Sequence, residues 1–284
     1  MHLKITLLIL LLPFSIFAQS HRFLYSYRFV PDSAKEDSMV TELTRLDVYA
    51  DHSEFLSDVT AKKDSAIAFA INNNQSQANI KLPDGIYQNK TSKNKELTST
   101  IEYIGIQPFK IEMKNNFKWQ LSKETQTIEG YLCQKAVLNY GGRIWEAWFT
   151  KEIPVQHGPY VFSGLPGLIV QISDTKNHHH FSLKANYKIP TGSTGIYTRP
   201  YFTPVKIDEK SFNKKWNDYR KQPLGGTEQF MQMNPGLLTG ESYDENGNKS
   251  FIIERTKQER EYAKKQLDHN NNYINLELYK INLK

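Results

Sequence analysis

Few residues in this chain have the types and spacing to do chemistry, and each pattern is incomplete. His178-His179-His180 invites a metal, because on a strand the first and third would share a face and make half a ligand set. No further His, Cys, Asp or Glu lies at ligand spacing, so no metal and no cofactor is expected, and the run reads as an exposed hairpin tip. Cys133 is the single cysteine. It cannot close an internal disulfide, and a lone thiol on a strand reads as a small buried apolar group rather than a nucleophile. Ser163 precedes Gly164 but lacks the earlier glycine that a Gly-x-Ser-x-Gly elbow needs. Ser92 with Lys95, and Ser211 with Lys214, match Ser-x-x-Lys, but the companion motifs of that enzyme class are missing. There is no His-Glu-x-x-His, Cys-x-x-Cys or phosphate-cradling glycine loop. No catalytic residue is assigned. Paired carboxylates leave no local signature, so a hydrolase without a recognisable motif stays open as an alternative.

What remains is aromatic. Aromatics make up 12% of the chain, mostly Tyr and Phe, and they crowd the stretch from Gly158 to Asp174. The candidate ligand contacts are Trp148, Tyr160, Phe162 and Leu165, as lining for a concave apolar groove with a few polar groups. Trp148 and Tyr160 are the better pair, since the hairpin register puts Trp148 on the mixed face and Tyr160 lies in a turn-rich loop, whereas Phe162 reads first as core filling. Around them Gly158, Pro159, Gly164, Pro166 and Gly167 shape the loop. Pro166-Gly167 reads as the centre of a type II turn, proline setting the first central position and glycine the positive φ of the second. Leu168 to Ile172 follows as a short strand with apolar groups on both faces.

The same residues carry a family likeness. Gly164-Leu-Pro-Gly-Leu-Ile169 resembles the signature hexapeptide of the GLPGLI family of exported bacterial proteins, known chiefly from the Bacteroidota. Gly130-Tyr-Leu-Cys-Gln-Lys-Ala136, Arg143-Ile-Trp-Glu-Ala-Trp148, Ile153-Pro154 and Gly158-Pro159 are similar to that family's flanking pattern. Gly164, Pro166, Gly167, Leu168 and Ile169 are thus structural motif positions by resemblance. The likeness implies export and an architecture; the family has no established activity for it to imply.

The elements that must position these residues follow from periodicity. Arg22 to Val30 alternates with period two, placing Phe23, Tyr25, Tyr27 and Phe29 on one face. Thr41 to Tyr49 is expected to pair with it. Residues 58–72 read as a helix, followed by short strands near 78–82, 86–89, 99–104, 109–113 and 117–121. Gly141-Gly142 is a two-residue hairpin loop that sets Tyr140 opposite Arg143, Leu138 opposite Trp145 and Ala136 opposite Ala147. Residues 181–187 should pair with 168–172. Helices are expected over 208–219 and 255–269, a last strand over 273–283, and long loops over 190–204 and 222–248. This makes an α+β, β-dominated class: one large curved antiparallel sheet, an open half-barrel similar to periplasmic lipoprotein-carrier folds, with a few packed helices.

Residues 1–18 read as a signal peptide: Lys4 gives the charged start, Ile5 to Ile16 the apolar stretch, and cleavage follows Ala18. That stretch is too short for a stable span, and no later run approaches span length. Residues 19–284 are expected to form one domain, exported to the periplasm or the medium. No cysteine near the cleavage point makes it a lipoprotein. The net charge of +6 is spread out, with acids interleaved, and leaves no nucleic-acid footprint. The expected function is non-catalytic binding of an apolar or amphipathic ligand, a lipid or a peptide. The alternatives are an accessory of an outer-membrane transporter and the hydrolase above.

Overall fold

The computed structural model describes residues 20–105, 107–189, 203–224, 242–243, 249–250 and 257–281. The leader at 1–18 and most of the two long loops lie outside these. Twelve strands form one sheet in the order β12-β6-β5-β4-β3-β2-β1-β11-β10-β9-β8-β7. They are β1 His21–Phe29, β2 Val40–Val48, β3 Ser53–Ser57, β4 Lys90–Lys93, β5 Leu97–Ile104, β6 Gln107–Lys114, β7 Gln120–Ile128, β8 Tyr131–Tyr140, β9 Arg143–Thr150, β10 Leu168–Asp174, β11 His179–Lys188 and β12 Val205–Lys206. Every pairing is antiparallel except β12 on β6, which is parallel. That edge pair makes the sheet mixed rather than wholly antiparallel. A separate ribbon joins β13 Ser242–Tyr243 to β14 Lys249–Ser250. Three helices complete the described residues: α1 Asp58–Asn72, α2 Glu209–Lys221 and α3 Lys257–His269.

The sheet is curled, and its two ends approach without pairing. β6 and β8 stand near opposite ends of the strand order, yet Tyr140 Oη lies 3.8 Å from Met113 Sδ. Phe117 meets Tyr140 edge-on with ring centroids 5.6 Å apart. The alternation in β1 turns Phe23, Tyr25 and Tyr27 inward, where all three are buried. Tyr27 stacks on Phe181 of β11 at 4.2 Å, and Phe55 of β3 meets Phe181 edge-on at 5.9 Å. Each such aromatic pair adds about 1 kcal/mol to what burial alone supplies.

Local sequence explains the helices. Ser57 caps α1, its Oγ accepting from Thr60 N at 3.2 Å. Asp208 caps α2 in the same way, accepting from Ser211 N at 2.7 Å. Phe212 and Trp216, one turn apart, are buried with Ile104, Phe109, Ile111 and Leu278 in a second, smaller core. α2 therefore lies over the β5–β6 end of the sheet.

The β8–β9 hairpin takes the register set by Gly141-Gly142: Tyr140 faces Arg143, Leu138 faces Trp145 and Ala136 faces Ala147. Both glycines have positive φ, 60° and 75°, as a primed turn requires.

Four expectations are corrected. Residues 78–82 and 86–89 are not strands; the first begins in a 3-10 turn and the second is irregular, with the real strand starting at Lys90. Residues 273–281 hold a turn at 276–279 and no strand, since Arg143 and Gly141 take up backbone groups of Tyr273 and Leu276; the last two residues of the expected strand, 282 and 283, lie outside the described residues. His178 and His179 are buried, not at a tip. The tip is Thr175 to Asn177, and β11 sits between β1 and β10, so an inward side chain there has nowhere wet to go. Finally, Pro166-Gly167 is tighter than a type II turn: Gly167 N donates to Leu165 O at 2.8 Å, an inverse γ-turn centred on Pro166.

Gly167 has φ 153°, and a Cβ there would stand 1.9 Å from the Thr150 carbonyl oxygen. That is backbone against backbone at the start of the β9–β10 ladder, so neither side can yield cheaply. Gly167→Ala is expected to destabilise the fold by about 3 kcal/mol or more, read as a drop in the urea midpoint; an unchanged midpoint would contradict this close approach.

Candidate functional site

The segment joining β9 to β10 does not skirt the sheet but folds into its hollow. Tyr160, Val161, Phe162 and Leu165 are each at most 2% exposed. Phe162 packs on Trp145 with centroids 4.7 Å apart. Trp119 Nε1 donates to Ser163 O at 2.8 Å. Gly158 lets the chain pass Ile169, since a Cβ would fall within 3.0 Å of three of its side-chain atoms. Gly164, at φ 88°, turns the chain back toward the γ-turn at Pro166.

Lys93 of β4 holds this plug. Its side chain is fully buried, and Nζ donates to the carbonyls of Gly158, Tyr160 and Phe162 at 2.7, 2.9 and 3.2 Å. Burial alone pushes its pKa down to about 7. Three converging carbonyls oppose that push, because a neutral amine has only two N–H groups to offer. Tyr160 has φ 49°, the left-handed region that a bulky residue adopts only under constraint, and the bond from Lys93 to its carbonyl supplies one. Next to it, His157 contacts Ser53 Oγ at 3.1 Å. Burial, then the charge of Lys93, pushes its pKa down to about 3, so this ring is neutral and a poor base for Ser53, itself fully buried.

The plug leaves part of the hollow open. On the far side of Tyr160 lies a cleft of about 430 Å³. Tyr27, Tyr87 and Glu102 form much of its wall, and the C-terminal segment from Asn270 to Tyr279 covers it. Arg143 fastens that cover: Nη1 pairs with Asp174 at 2.8 Å, Nη2 reaches Asn272 Oδ1 at 2.6 Å, and Nε reaches Tyr273 O at 3.1 Å. Asn272 Nδ2 in turn donates to Val30 O at 2.7 Å. Leu276 N donates to Gly141 O at 2.8 Å, so the hairpin glycines also make room for the cover. A Cβ on Gly141 would stand 2.9 Å from Asn275 Cα.

Glu102 is the carboxyl group in this wall. It is 1% exposed. Its Oε2 accepts from Asn89 Nδ2 at 2.5 Å and Tyr279 Oη at 2.8 Å. Its Oε1 makes no hydrogen bond within normal distance, and the Thr100 hydroxyl acts on the carboxyl group as a third donor. Burial pushes its pKa up to about 7 against the pull of those donors, and no basic side chain acts on it. On the opposite wall Tyr27 Oη meets His179 Nδ1 at 2.7 Å, and burial holds His179 well below the usual histidine range.

The four candidate contacts are thus divided. Tyr160 lines the cleft. Phe162 and Leu165 are packed on the protein's own side chains. Trp148 is half-buried elsewhere, with Lys135 Nζ 6.0 Å from its ring centre. Glu102 and Lys93 were not singled out in the sequence, where they read as the polar residues of alternating strands. Cys133 is buried, and burial pushes its thiol up to about 11. Among the described residues no three His, Cys, Asp or Glu side chains converge as a metal site, and no helix is long and apolar enough to cross a membrane.

Comparison with known protein families reaches this region. A family described as "Protein of unknown function (Porph_ging)" matches residues 142–171, from the β8–β9 turn through the plug into β10. No curated protein matches the chain. Two crystal structures of PNGF-II, in space groups P21 and C2, are similar at 15% identity and a TM-score of 0.47. The match covers 69% of this chain but only 33% and 32% of theirs, so the chain spans about a third of PNGF-II's length. A crystal structure of an uncharacterized conserved protein from Thermus thermophilus is similar at 8% identity and a TM-score of 0.35, over 67% of this chain and 91% of that one.

Two variants test the site's physics. Lys93→Met strands three buried carbonyls and is expected to cost about 3 kcal/mol or more, seen in denaturant unfolding; a loss below about 1 kcal/mol would mean that the plug seats without it. Glu102 is expected to make stability fall with rising pH. The folded state keeps a proton that the unfolded chain releases near 4.5, so its contribution is full below about 4.5 and lost by about 7, an effect on the order of a few kcal/mol. Glu102→Gln should flatten that slope, measured as unfolding free energy at pH 5 and pH 8.

Proposed function

We propose that this is an exported, non-catalytic binding protein whose ligand seats in the Glu102 cleft. The observation that carries the reading is the cleft itself: about 430 Å³ of space left inside a curled sheet, walled by aromatic rings and a few polar groups. That volume and that mixture are typical of small-ligand sites. The plug narrows the chemistry. Phe162 and Leu165 are themselves buried in the hollow, which leaves less apolar space there for an acyl chain. The remaining space suits an amphipathic ligand, and a peptide side chain better than a lipid tail. Export rests on the leader-like residues 1–18, with periplasm or medium as the destination. Membership of the GLPGLI family is supported by the hexapeptide at 164–169, which falls inside the matched segment 142–171.

The hydrolase reading draws on Glu102, whose burial and raised pKa are typical of catalytic acids. Glycoside-type hydrolysis needs a second carboxyl group across the bond. Among the described residues lining the cleft Glu102 stands alone as an acid.

Native mass spectrometry of protein purified from its own host tests the binding reading. A small-molecule or peptide adduct is expected on the wild type, and its loss is expected when Ile274→Trp fills the cleft. A bare protein with no affinity for lipids or peptides would remove the proposal.

A further inference from the structure

We propose that the cleft is an organic-cation site, taking the alkylammonium group of an amine or of a lysine side chain against its aromatic walls and the Glu102 carboxylate. This deepens the binding reading above and rests on it. The first observation is the electrostatic character of the wall. Among the described residues lining it there is no Lys and no Arg, although the whole chain carries a net charge of +6. The one histidine in the lining, His179, is kept neutral by burial and by the nearby charge of Arg143. A basic protein has therefore kept lysine and arginine out of this aromatic wall while placing a carboxyl group there.

The second observation is that this carboxyl is unbalanced. Glu102 is nine-tenths buried and more, its Oε1 lacks a hydrogen bond, and only neutral donors face it: Tyr279, Asn89 and Thr100. Its charge is felt by the surrounding hydroxyls of Tyr87, Tyr140 and Tyr160. A carboxylate in such a place is costly unless a cation joins it, and at low dielectric the attraction reaches across the wall without direct contact. The third observation is the rings. Tyr87, Tyr103, Tyr160, Tyr273 and Tyr279 all line the cleft. Ring faces attract ammonium groups through their quadrupole, more strongly where water is excluded. A carboxylate ligand would be repelled by the same field, and an uncharged chain would leave Glu102 uncompensated.

Calorimetric titration with n-pentylammonium, 1-pentanol and pentanoate at pH 6 and pH 8 tests the assignment. Pentylammonium is expected to bind at least about tenfold more tightly than either of the others. Because Glu102 titrates at about 7, its affinity should rise about tenfold from pH 6 to pH 8, with proton release visible as a buffer-dependent heat. Glu102→Gln should lose that gain and the proton release, its fold being checked by circular dichroism. Nα-acetyl-lysine N-methylamide binding more tightly than pentylammonium would assign the cation to a peptide, and the reverse to a free amine; either supports the site. Equal binding of 1-pentanol would leave the cleft as a ligand site and remove the cation. Amine affinity unchanged by pH in the wild type, or no amine binding at all, overturns the proposal, while adducts seen by native mass spectrometry decide the broader reading separately.

Discussion

A single buried ammonium group organises the middle of this protein. The hollow of a curled sheet is dry, and a backbone segment entering it brings carbonyls that must find donors. Lys93 answers three of them at once, at Gly158, Tyr160 and Phe162. Without such a donor, the segment would gain from burying Tyr160, Phe162 and Leu165 but lose comparable energy on its unpaired carbonyls. The lysine tips that balance. It also fixes where the segment lies: the left-handed turn at Tyr160 aims that ring toward the cleft, and the remaining hollow takes its shape from there.

The rest of the architecture protects this arrangement from two sides. Below, Gly158 and Gly167 allow backbone and side chains to approach more closely than any Cβ would permit, which lets β10 start pairing immediately after the plug. Above, the Arg143–Asp174 pair holds the C-terminal segment across the cleft. The two ionic anchors differ in kind. Arg143 has a carboxylate partner, one amide oxygen and one backbone carbonyl, as a buried guanidinium requires. Lys93 has backbone alone. Glu102 completes the set as a buried acid with no cation beside it.

Much of the fold was legible because it is encoded locally. The alternation in Phe23, Tyr25 and Tyr27, the two glycines at 141–142 and the helix at 58–72 each act over a few residues, and the structure follows them closely. The register of β8 on β9 came from one dipeptide. Legibility failed where long-range contacts outweigh local signals. Residues 273–281 have strand-like composition, but Arg143 and Gly141 take up their backbone groups. The three histidines look solvent-loving in sequence, yet the central position of β11 buries two of them.

The sequence by itself determined most of the long strands, the helix at 58–72 and the register of the β8–β9 hairpin, because periodicity and turn chemistry depend only on near neighbours. Tertiary structure alone decided that this stretch plugs the hollow, that Lys93 and Glu102 are buried, and that Trp148 lies apart from Tyr160. Curling the sheet brings β4, β5 and the β9–β10 segment together from positions far apart in the chain. A lysine or glutamate on an alternating strand carries no local mark of which face will lose its water.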